Sequence, residues 1–156
     1  MKRLHILNLL VKDEPGTLIR IAGLIWRRGF NIDTITVGKT EIQKVSRIVI
    51  SLNADEHIVE QVKKQVSKLA DVIKVSELKP DESVIGELCY LKIELSKEKE
   101  EIFKQIEASR AELVHEDLNS LVVLITGSSE KIDSFISRLS KYKINVARTG
   151  LTGIGK

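Results

Sequence analysis

The chain of 156 residues has a single cysteine and no long apolar run, and both scarcities exclude classes of protein. Cys89 alone cannot form an internal disulfide, which favours a reducing compartment such as the cytosol. No apolar run reaches the roughly 20 residues that a membrane-spanning helix needs. The amino-terminal segment MKRLHILNLLVKDE ends in acids and lacks the small-residue cleavage site of a secretory signal. We therefore expect a cytoplasmic protein that does not associate with a membrane.

Aromatic residues and clustered positive charge are also scarce. Aromatic side chains make up 4% of the chain, and its net charge is only +3. The lysines and arginines are interspersed with acids, whereas proteins that bind nucleic acid usually carry a basic patch or stripe. Sheets that bind single-stranded RNA stack its bases on aromatic side chains, and neither half of this chain has a suitable aromatic pair. These features argue against a nucleic-acid partner.

Residues arranged for catalysis or metal binding are missing as well. His5, His57 and His115 lie in different predicted elements, and none has a second ligand at the spacing of a metal site. The sequence has no GxSxG and no CxxC, and Cys89 lies in the middle of a predicted strand, where burial is its usual role. We therefore predict no catalytic residue, no metal site and no cofactor in this chain.

Hydrophobic periodicity divides the first half into alternating strands and helices. The predicted elements are a strand over Leu4–Val11, a helix with Leu18, Ile21, Ala22 and Ile25 on one face, strands over Ile32–Val37 and Val45–Leu52, a helix that opens at Asp55, and a strand over Val72–Leu78. Arg27, Arg28 and Gly29 supply the charges and the glycine that usually end a helix. The order β-α-β-β-α-β is that of a ferredoxin-like unit.

The polar segment KPDES, residues 79–83, contains one of the two prolines and is typical of a linker. After it the same order of elements returns. The predicted elements are a strand over Leu88–Leu95, a helix over Glu98–Ala108, strands over Ala111–His115 and Leu121–Thr126, a helix over Ser129–Leu139 and a strand over Ile144–Thr149. The sequence therefore predicts an α+β protein of two ferredoxin-like sandwiches in tandem, with domains at residues 1–79 and 84–156.

The stretch VKDEPGTLIRI, residues 11–21, joins the first strand to the first helix and offers the best candidate for a binding site. The N–H groups of residues 16–18 at the helix start can bind a carboxylate, while the acids Asp13 and Glu14 disfavour a polyanion. A small zwitterion such as an amino acid fits both features, with its ammonium at Asp13. In an alternative interpretation, Asp13 caps the helix, Pro15 lies near its first turn and Gly16 permits close packing.

Longer stretches resemble a known family, the small regulatory subunit of acetohydroxyacid synthase (acetolactate synthase). In the first half, from Leu4 to Leu78, the resemblance rests in order on DEPGTL, RRGFNI, DTITVGKTE, VSRIVI, EQVKKQVSKL and DVIKVSEL. In the second half it rests on GELCYLKIEL, SSEKIDSFISRL and INVARTGLTGIGK. The resemblance therefore covers almost the whole chain, and in the first half the motifs have the order and spacing expected of the family.

The resemblance implies a specific function. The first half would be an ACT domain, which pairs edge to edge with a second copy and binds a branched-chain amino acid, usually valine, at the interface. The chain would have no chemistry of its own. It would activate a separate catalytic (large) subunit, which uses thiamine diphosphate, Mg²⁺ and FAD to condense two pyruvates, or pyruvate and 2-ketobutyrate, and it would confer feedback inhibition on that subunit.

The resemblance also assigns the amino-acid site to residues of two protomers, namely Asp13, Gly16, Thr17 and Leu18 of one and Asn31 and Ile32 of the other. Many members of the family have asparagine at the position of Asp13. Aspartate keeps an acceptor but loses the amide donor, so we expect Asp13 to face the ammonium of the ligand. Gly38 either leaves room for the ligand's side chain or eases a bend at the end of a strand.

Two other classes of function remain as alternatives. A free-standing transcriptional regulator that responds to an amino acid would need a DNA-binding segment, such as a helix-turn-helix, and none is recognisable beside these halves. A stand-alone enzyme would turn over pyruvate by itself, and we expect no turnover. The sequence leaves open which branched-chain amino acid is preferred, how many copies assemble with the catalytic subunit, which surface contacts it, and what the second domain does.

Overall fold

The computed structural model describes residues 1–95 and 98–156, which fall into two compact units. The first unit comprises residues 1–85 together with residues 151–156, and the second comprises residues 86–150. Each unit is an α+β sandwich with an antiparallel sheet, as the sequence predicts. No helix in the described part of the chain is long and apolar enough to cross a membrane.

The first unit has the predicted order of elements. They are β1 (Arg3–Lys12), α1 (Thr17–Arg27), β2 (Thr34–Lys39), β3 (Val45–Ala54), α2 (Glu56–Val66) and β4 (Val72–Glu77). The sheet has the order β2-β3-β1-β4, so β1 lies between β3 and β4 and pairs antiparallel with both. This order confirms the ferredoxin-like prediction and leaves β2 and β4 as edge strands.

The core of the first unit lies between one face of this sheet and the two helices. Alternate residues of β1 and β3, such as Leu7, Leu9 and Ile50, are fully buried there. Ile21 and Ile25 of α1 lie one helical turn apart and pack into the same core, as their spacing predicts. Gly29 follows α1 with a φ of +77°, and its N–H donates to the carbonyl of Trp26, which ends the helix.

The second unit repeats the order with its own core. Its elements are β5 (Ser83–Glu94), α3 (Lys99–Ala108), β6 (Glu112–Glu116), β7 (Ser120–Gly127), α4 (Ser129–Arg138) and β8 (Ile144–Arg148). The sheet order is β6-β7-β5-β8, which matches the order in the first unit. Phe135 of α4 is the largest fully buried side chain of this core. The hydroxyl of Ser128 accepts a hydrogen bond from the N–H of Lys131 and caps α4.

The structure differs from the sequence-based prediction at both ends of the second domain. Residues 80–82 of the predicted linker form a short 3₁₀ turn, and β5 begins at Ser83, five residues before the predicted strand. The last residues, predicted only as a glycine-rich end, form β9 (Thr152–Gly155), which pairs with β5. Residues 151–156 group with the first unit, although the prediction placed them in domain 84–156. Local periodicity cannot reveal the pairing of β9 with β5 or the place of residues 151–156 in the first unit, because β9 and the start of β5 are distant in sequence.

Candidate functional site

The turn between β1 and α1 is held in place by two backbone hydrogen bonds from neighbouring segments. The N–H of Asp13 donates to the carbonyl of Lys44, in the β2–β3 connection, at 2.9 Å. The N–H of Lys12 donates to the carbonyl of Asp71, just before β4, at 2.8 Å. The side chains of Asp13 and Glu14 are exposed. The turn therefore presents two carboxylates to solvent from a backbone that is fixed on both sides.

Gly16 is the N-cap residue of α1, and its φ is +86°. The helix has no side-chain capping bond, so the alternative in which Asp13 caps the helix is wrong. The backbone cannot continue from Asp13 directly into α1, because the left-handed residue at Gly16 turns the chain into the helix. Among the described residues, none accepts a hydrogen bond from the N–H of Gly16 or Leu18. The positive end of the helix dipole therefore stays open to an anionic group.

Arg20 lies over this turn and was not singled out by the sequence. Its Nε donates to Asp71 Oδ2 at 2.7 Å, and its Nη2 lies 3.4 Å from Thr17 Oγ1. A Cβ built on Gly16 would come within 2.8 Å of Arg20 Nη1. Asp71 holds the guanidinium there through a salt bridge, so Arg20 places N–H donors beside the open helix terminus while Asp71 balances its charge. The spacing of Thr17 and Arg20 on one helix face is visible in the sequence, but Asp71 is brought close only by the fold.

The other predicted site residues lie elsewhere in the unit. Asn31 is exposed, and Ile32 packs against the first core, beyond the carboxyl end of α1. The 11 residues of α1 span about 16 Å, so one chain does not bring Asn31 and Ile32 to the turn at Gly16. Gly38 lies on the edge strand β2 opposite Arg47, and nothing within 4 Å would meet a Cβ there. The structure therefore separates the site residues into two groups. One lies at the start of α1, and the other, which consists of Asn31, Ile32 and Gly38, lies after the end of α1 and on β2.

The described residues contain one cluster of carboxylates close enough to hold a metal ion, formed by Glu56, Glu60 and Glu77. Lysine and arginine side chains of the protein already form ion pairs with these carboxylates. Lys63 Nζ lies 2.6 Å from Glu60 and 3.5 Å from Glu77, and Arg3 pairs with Glu56. This cluster is explained as a surface ion-pair network, and the prediction that the chain binds no metal stays a prediction.

Cys89 is fully buried, as its place in a strand predicts. Burial raises the pKa of its thiol, which disfavours the thiolate that a nucleophile needs. The prediction that it lies in the core is therefore confirmed. Its thiol therefore has no feature of a reactive cysteine, and the prediction that the chain has no catalytic residue stays a prediction.

Comparison with known proteins decides the family. A model described as "AHAS small subunit-like ACT domain" matches residues 7–74, and one described as "Small subunit of acetolactate synthase" matches residues 86–156. A "Probable acetolactate synthase small subunit" of Methanothermobacter thermautotrophicus is 43% identical over 97% of this chain and 92% of its own length. The chain belongs to the family of acetolactate synthase small subunits. All seven predicted binding positions, Asp13 to Gly38, lie in the region that the ACT model matches.

Other acetolactate synthase small subunits agree with this assignment. The isozyme 3 small subunit of Salmonella typhimurium is 35% identical over 97% of this chain and 95% of its own length. The crystal structure of the small subunit from Thermotoga maritima is 34% identical and covers 99% of this chain and 98% of its own, with a TM-score of 0.93. The tandem ferredoxin-like fold is therefore shared along essentially the whole chain.

Proposed function

We propose that this chain is a non-catalytic regulatory subunit that binds a branched-chain amino acid, with valine as the first candidate, and controls a catalytic large subunit. The observation that carries the proposal is the uncapped start of α1 within the region that matches the ACT model. In this proposal the ligand's carboxylate binds the N–H groups of Gly16 and Leu18 beside Arg20. Its ammonium binds the exposed carboxylate of Asp13.

The structure supports some of the predicted contacts more than others. The N–H of Thr17 already donates to the carbonyl of Glu14 at 3.3 Å, so it contributes less to the ligand than its neighbours. Thr17 is buried, and its hydroxyl accepts a hydrogen bond from Arg20. Thr17 therefore helps to position the guanidinium. Leu18 is exposed and is an apolar residue in the first turn of α1. It would contact the branched side chain of the ligand.

A second copy of the chain would complete the site, because Asn31 and Ile32 lie too far from Gly16 within one chain. The outer face of α1 suits this role: Ile19 and Trp26 are 77% and 76% exposed, and they flank Gly23, whose Cβ position is open. If the two-fold axis of the dimer lies perpendicular to the two helices, they run antiparallel. This arrangement sets the start of one α1 beside the end of the other, together with the Asn31 that follows it.

Charge supports the same arrangement. The start of α1 carries the exposed acids Asp13 and Glu14, and its end carries the exposed Arg27 and Arg28. In an antiparallel pair each acidic end meets a basic end, and the two helix dipoles oppose each other favourably. The predicted edge-to-edge pairing would use β2 in addition, since this strand is paired on one side only. We therefore propose a homodimer as the smallest unit that binds the amino acid.

Replacing Gly23 with Cys tests this dimer directly. The two new thiols should lie near the two-fold axis, so mild oxidation should convert most of the protein to a disulfide-linked dimer on a non-reducing gel. The wild-type chain should stay uncrosslinked, because Cys89 is fully buried. Gln61→Cys, on the exposed face of α2, is the matched control and should not crosslink. A Gly23→Cys protein that crosslinks no faster than this control would contradict pairing through α1.

Catalysis in this proposal belongs to the large subunit, which would hold thiamine diphosphate, Mg²⁺ and FAD, and the complex would work in the cytoplasm. Valine can lower the rate in this way only if it binds more tightly to a less active state of the assembly than to a more active one. Such coupling is reciprocal, so the large subunit must also change the affinity of this chain for valine. No observation favours the alternative of a free-standing transcriptional regulator, since the described residues form only the two sandwiches.

The proposal is tested by mixing the purified chain with its cognate catalytic subunit at saturating cofactor and following acetolactate formation. The rate should rise on addition of the chain and fall again on addition of valine. The chain alone should form no acetolactate. A rate that does not rise would remove the regulatory-subunit interpretation. A rate that rises but does not respond to valine, leucine or isoleucine would remove the feedback part and leave activation.

A further inference from the structure

The first unit buries residues on the face of its sheet that has no helices. Ile6 of β1 and Val49 of β3 point away from the helix-covered core, yet they are only 6% and 1% exposed. Leu78, Ile85 and Leu151 cover them. Leu151 reaches this face only after the chain has passed through residues 86–150 of the second unit. The carboxyl-terminal segment is therefore a structural part of the first unit.

This segment is bonded to the edge strand β2. The carbonyl of Leu151 accepts a hydrogen bond from Thr36 Oγ1 at 2.8 Å, and its N–H lies 3.4 Å from Thr34 Oγ1. Thr36 pairs with Val49 across the sheet, so the threonines and the covered apolar residues share one face. Backbone pairing holds β2 along one edge only, on β3. The bonds to Leu151 are a second, side-chain attachment for that strand.

Further contacts fix the rest of the segment. The N–H of Lys156 donates to the carbonyl of Glu82 at 2.8 Å, and its Nζ donates to the carbonyl of Asp81 at 3.0 Å. A Cβ at Gly153 would lie 2.6 Å from the carbonyl oxygen of Val84, so any residue other than glycine would clash unless the backbone shifted. Contacts at both ends and in the middle therefore hold the segment as a strap across the sheet.

We propose that residues 151–156 act as a strap that positions β2 for amino-acid binding, so that ligand binding and strap attachment stabilise each other. This inference rests on the proposed function. Asn31 and Ile32 stand just before β2, and Gly38 lies within it, so the strand that the strap holds carries the proposed contacts to the partner's ligand. Coupling of this kind is reciprocal and typically changes affinity by about 5- to 150-fold.

The strap would also connect the second unit to the ligand site, through the chain as far as Leu151 and then through the hydrogen bonds of Leu151 with Thr34 and Thr36. Residues 86–150 end at Gly150, whose φ of +86° starts the strap. A change in the second unit that pulls on this residue would act on Thr34 and Thr36 through Leu151. Residues far from the ligand would then tune its affinity by their effect on β2.

The experiment uses the full chain. One variant removes a single hydrogen bond of the strap, and another removes the strap from the sheet. Thr36→Val keeps the shape of the side chain and removes the donor to Leu151, and Leu151→Asp places a charge in the apolar cover. Thr152→Val is the matched control, because this threonine is exposed and its hydroxyl has no partner among the described residues. Amide hydrogen exchange at β2 and titration calorimetry with valine are measured for each protein.

We expect faster exchange at β2 in Thr36→Val and Leu151→Asp, unchanged exchange at β7, and valine affinity about 5- to 150-fold lower, with the control like the wild type. Valine should also slow the exchange of residues 151–156 in the wild type. A lower melting temperature with unchanged valine affinity would overturn the coupling. Unchanged exchange at β2 would overturn the strap. If the wild type binds none of the three branched-chain amino acids, the proposed function fails, while exchange at β2 still decides whether the strap positions that strand.

Discussion

Gly16→Asp should abolish valine binding while the chain stays folded. Aspartate is among the few residues other than glycine that adopt the left-handed conformation, which Gly16 has with its φ of +86°. The close contact of its Cβ would be with Arg20 Nη1, the end of a flexible side chain that can move and pair with the new carboxylate. A negative charge at a helix start is also favourable. The fold therefore tolerates this substitution.

Ligand binding does not tolerate it, because the new carboxylate occupies the position where the carboxylate of valine would approach the open N–H groups. Juxtaposed like charges cost several kcal/mol, and about 2.8 kcal/mol already corresponds to a 100-fold loss of affinity. Calorimetric titration with valine measures the loss. Gly16→Asn is the control, since asparagine has nearly the same shape and also adopts the left-handed conformation. It should bind valine far better than Gly16→Asp.

The same variant separates activation from inhibition in the assembled complex. Gly16→Asp should still raise the rate of acetolactate formation by the catalytic subunit, because it leaves the fold and the surfaces of the chain intact. The activity of the complex that contains this variant should no longer fall when valine is added. A valine isotherm equal to that of the wild type would place the ligand site elsewhere in the chain.

Arg148→Ala should destabilise the second unit more than a substitution that breaks an exposed ion pair. Glu87 is 3% exposed at its side chain, and Arg148 binds both of its oxygens while also donating to Asp133 Oδ1 at 2.5 Å. Ser129 donates to Glu87 Oε1 at 2.8 Å. Removing the guanidinium leaves a buried carboxylate without its cation, which typically costs about 3 to 5 kcal/mol. This loss is a large part of the stability of a small domain.

The effect is measured by urea unfolding, and amide exchange at β5 and β7 locates it in the second unit. Lys143→Ala is the matched control, because Lys143 pairs with Glu94 at 2.7 Å on the exposed edge. Exposed pairs contribute about 0 to 1 kcal/mol, so this variant should unfold close to the wild type. An Arg148→Ala protein as stable as Lys143→Ala would show that the buried carboxylate finds another partner or water.

Acid should weaken the same pair. Hydrogen bonds from Arg148, and then from Ser129, hold the pKa of Glu87 below its ordinary value of 4.5. Because the pKa is lower in the folded state, the pair stabilises the fold above pH 4.5, and this contribution is lost as the pH falls through the folded-state pKa. The stability difference between the wild type and Glu87→Gln should therefore shrink on acidification below that pH.

Much of the architecture followed from the sequence alone, because it depends on neighbours within one element. The apolar run of β1 and the helical spacing of Ile21 and Ile25 describe faces that must be buried, and Gly29 ends the helix where the pattern stops. The order of these elements recurs in the second half and identifies the ferredoxin-like fold. The motifs around the turn at Gly16, with those of the second half, likewise indicate the family from sequence alone.

Tertiary structure decided the features that depend on partners distant in sequence. Asp13 looks like a capping residue, but the left-handed backbone at Gly16 leaves the helix uncapped. Asp71 holds Arg20 over the turn from 51 residues away, and Leu151 reaches Thr36 from 115 residues away. No local period encodes such pairs, because the short, polar or glycine-rich segments that form them gain their stability from the surfaces on which they land.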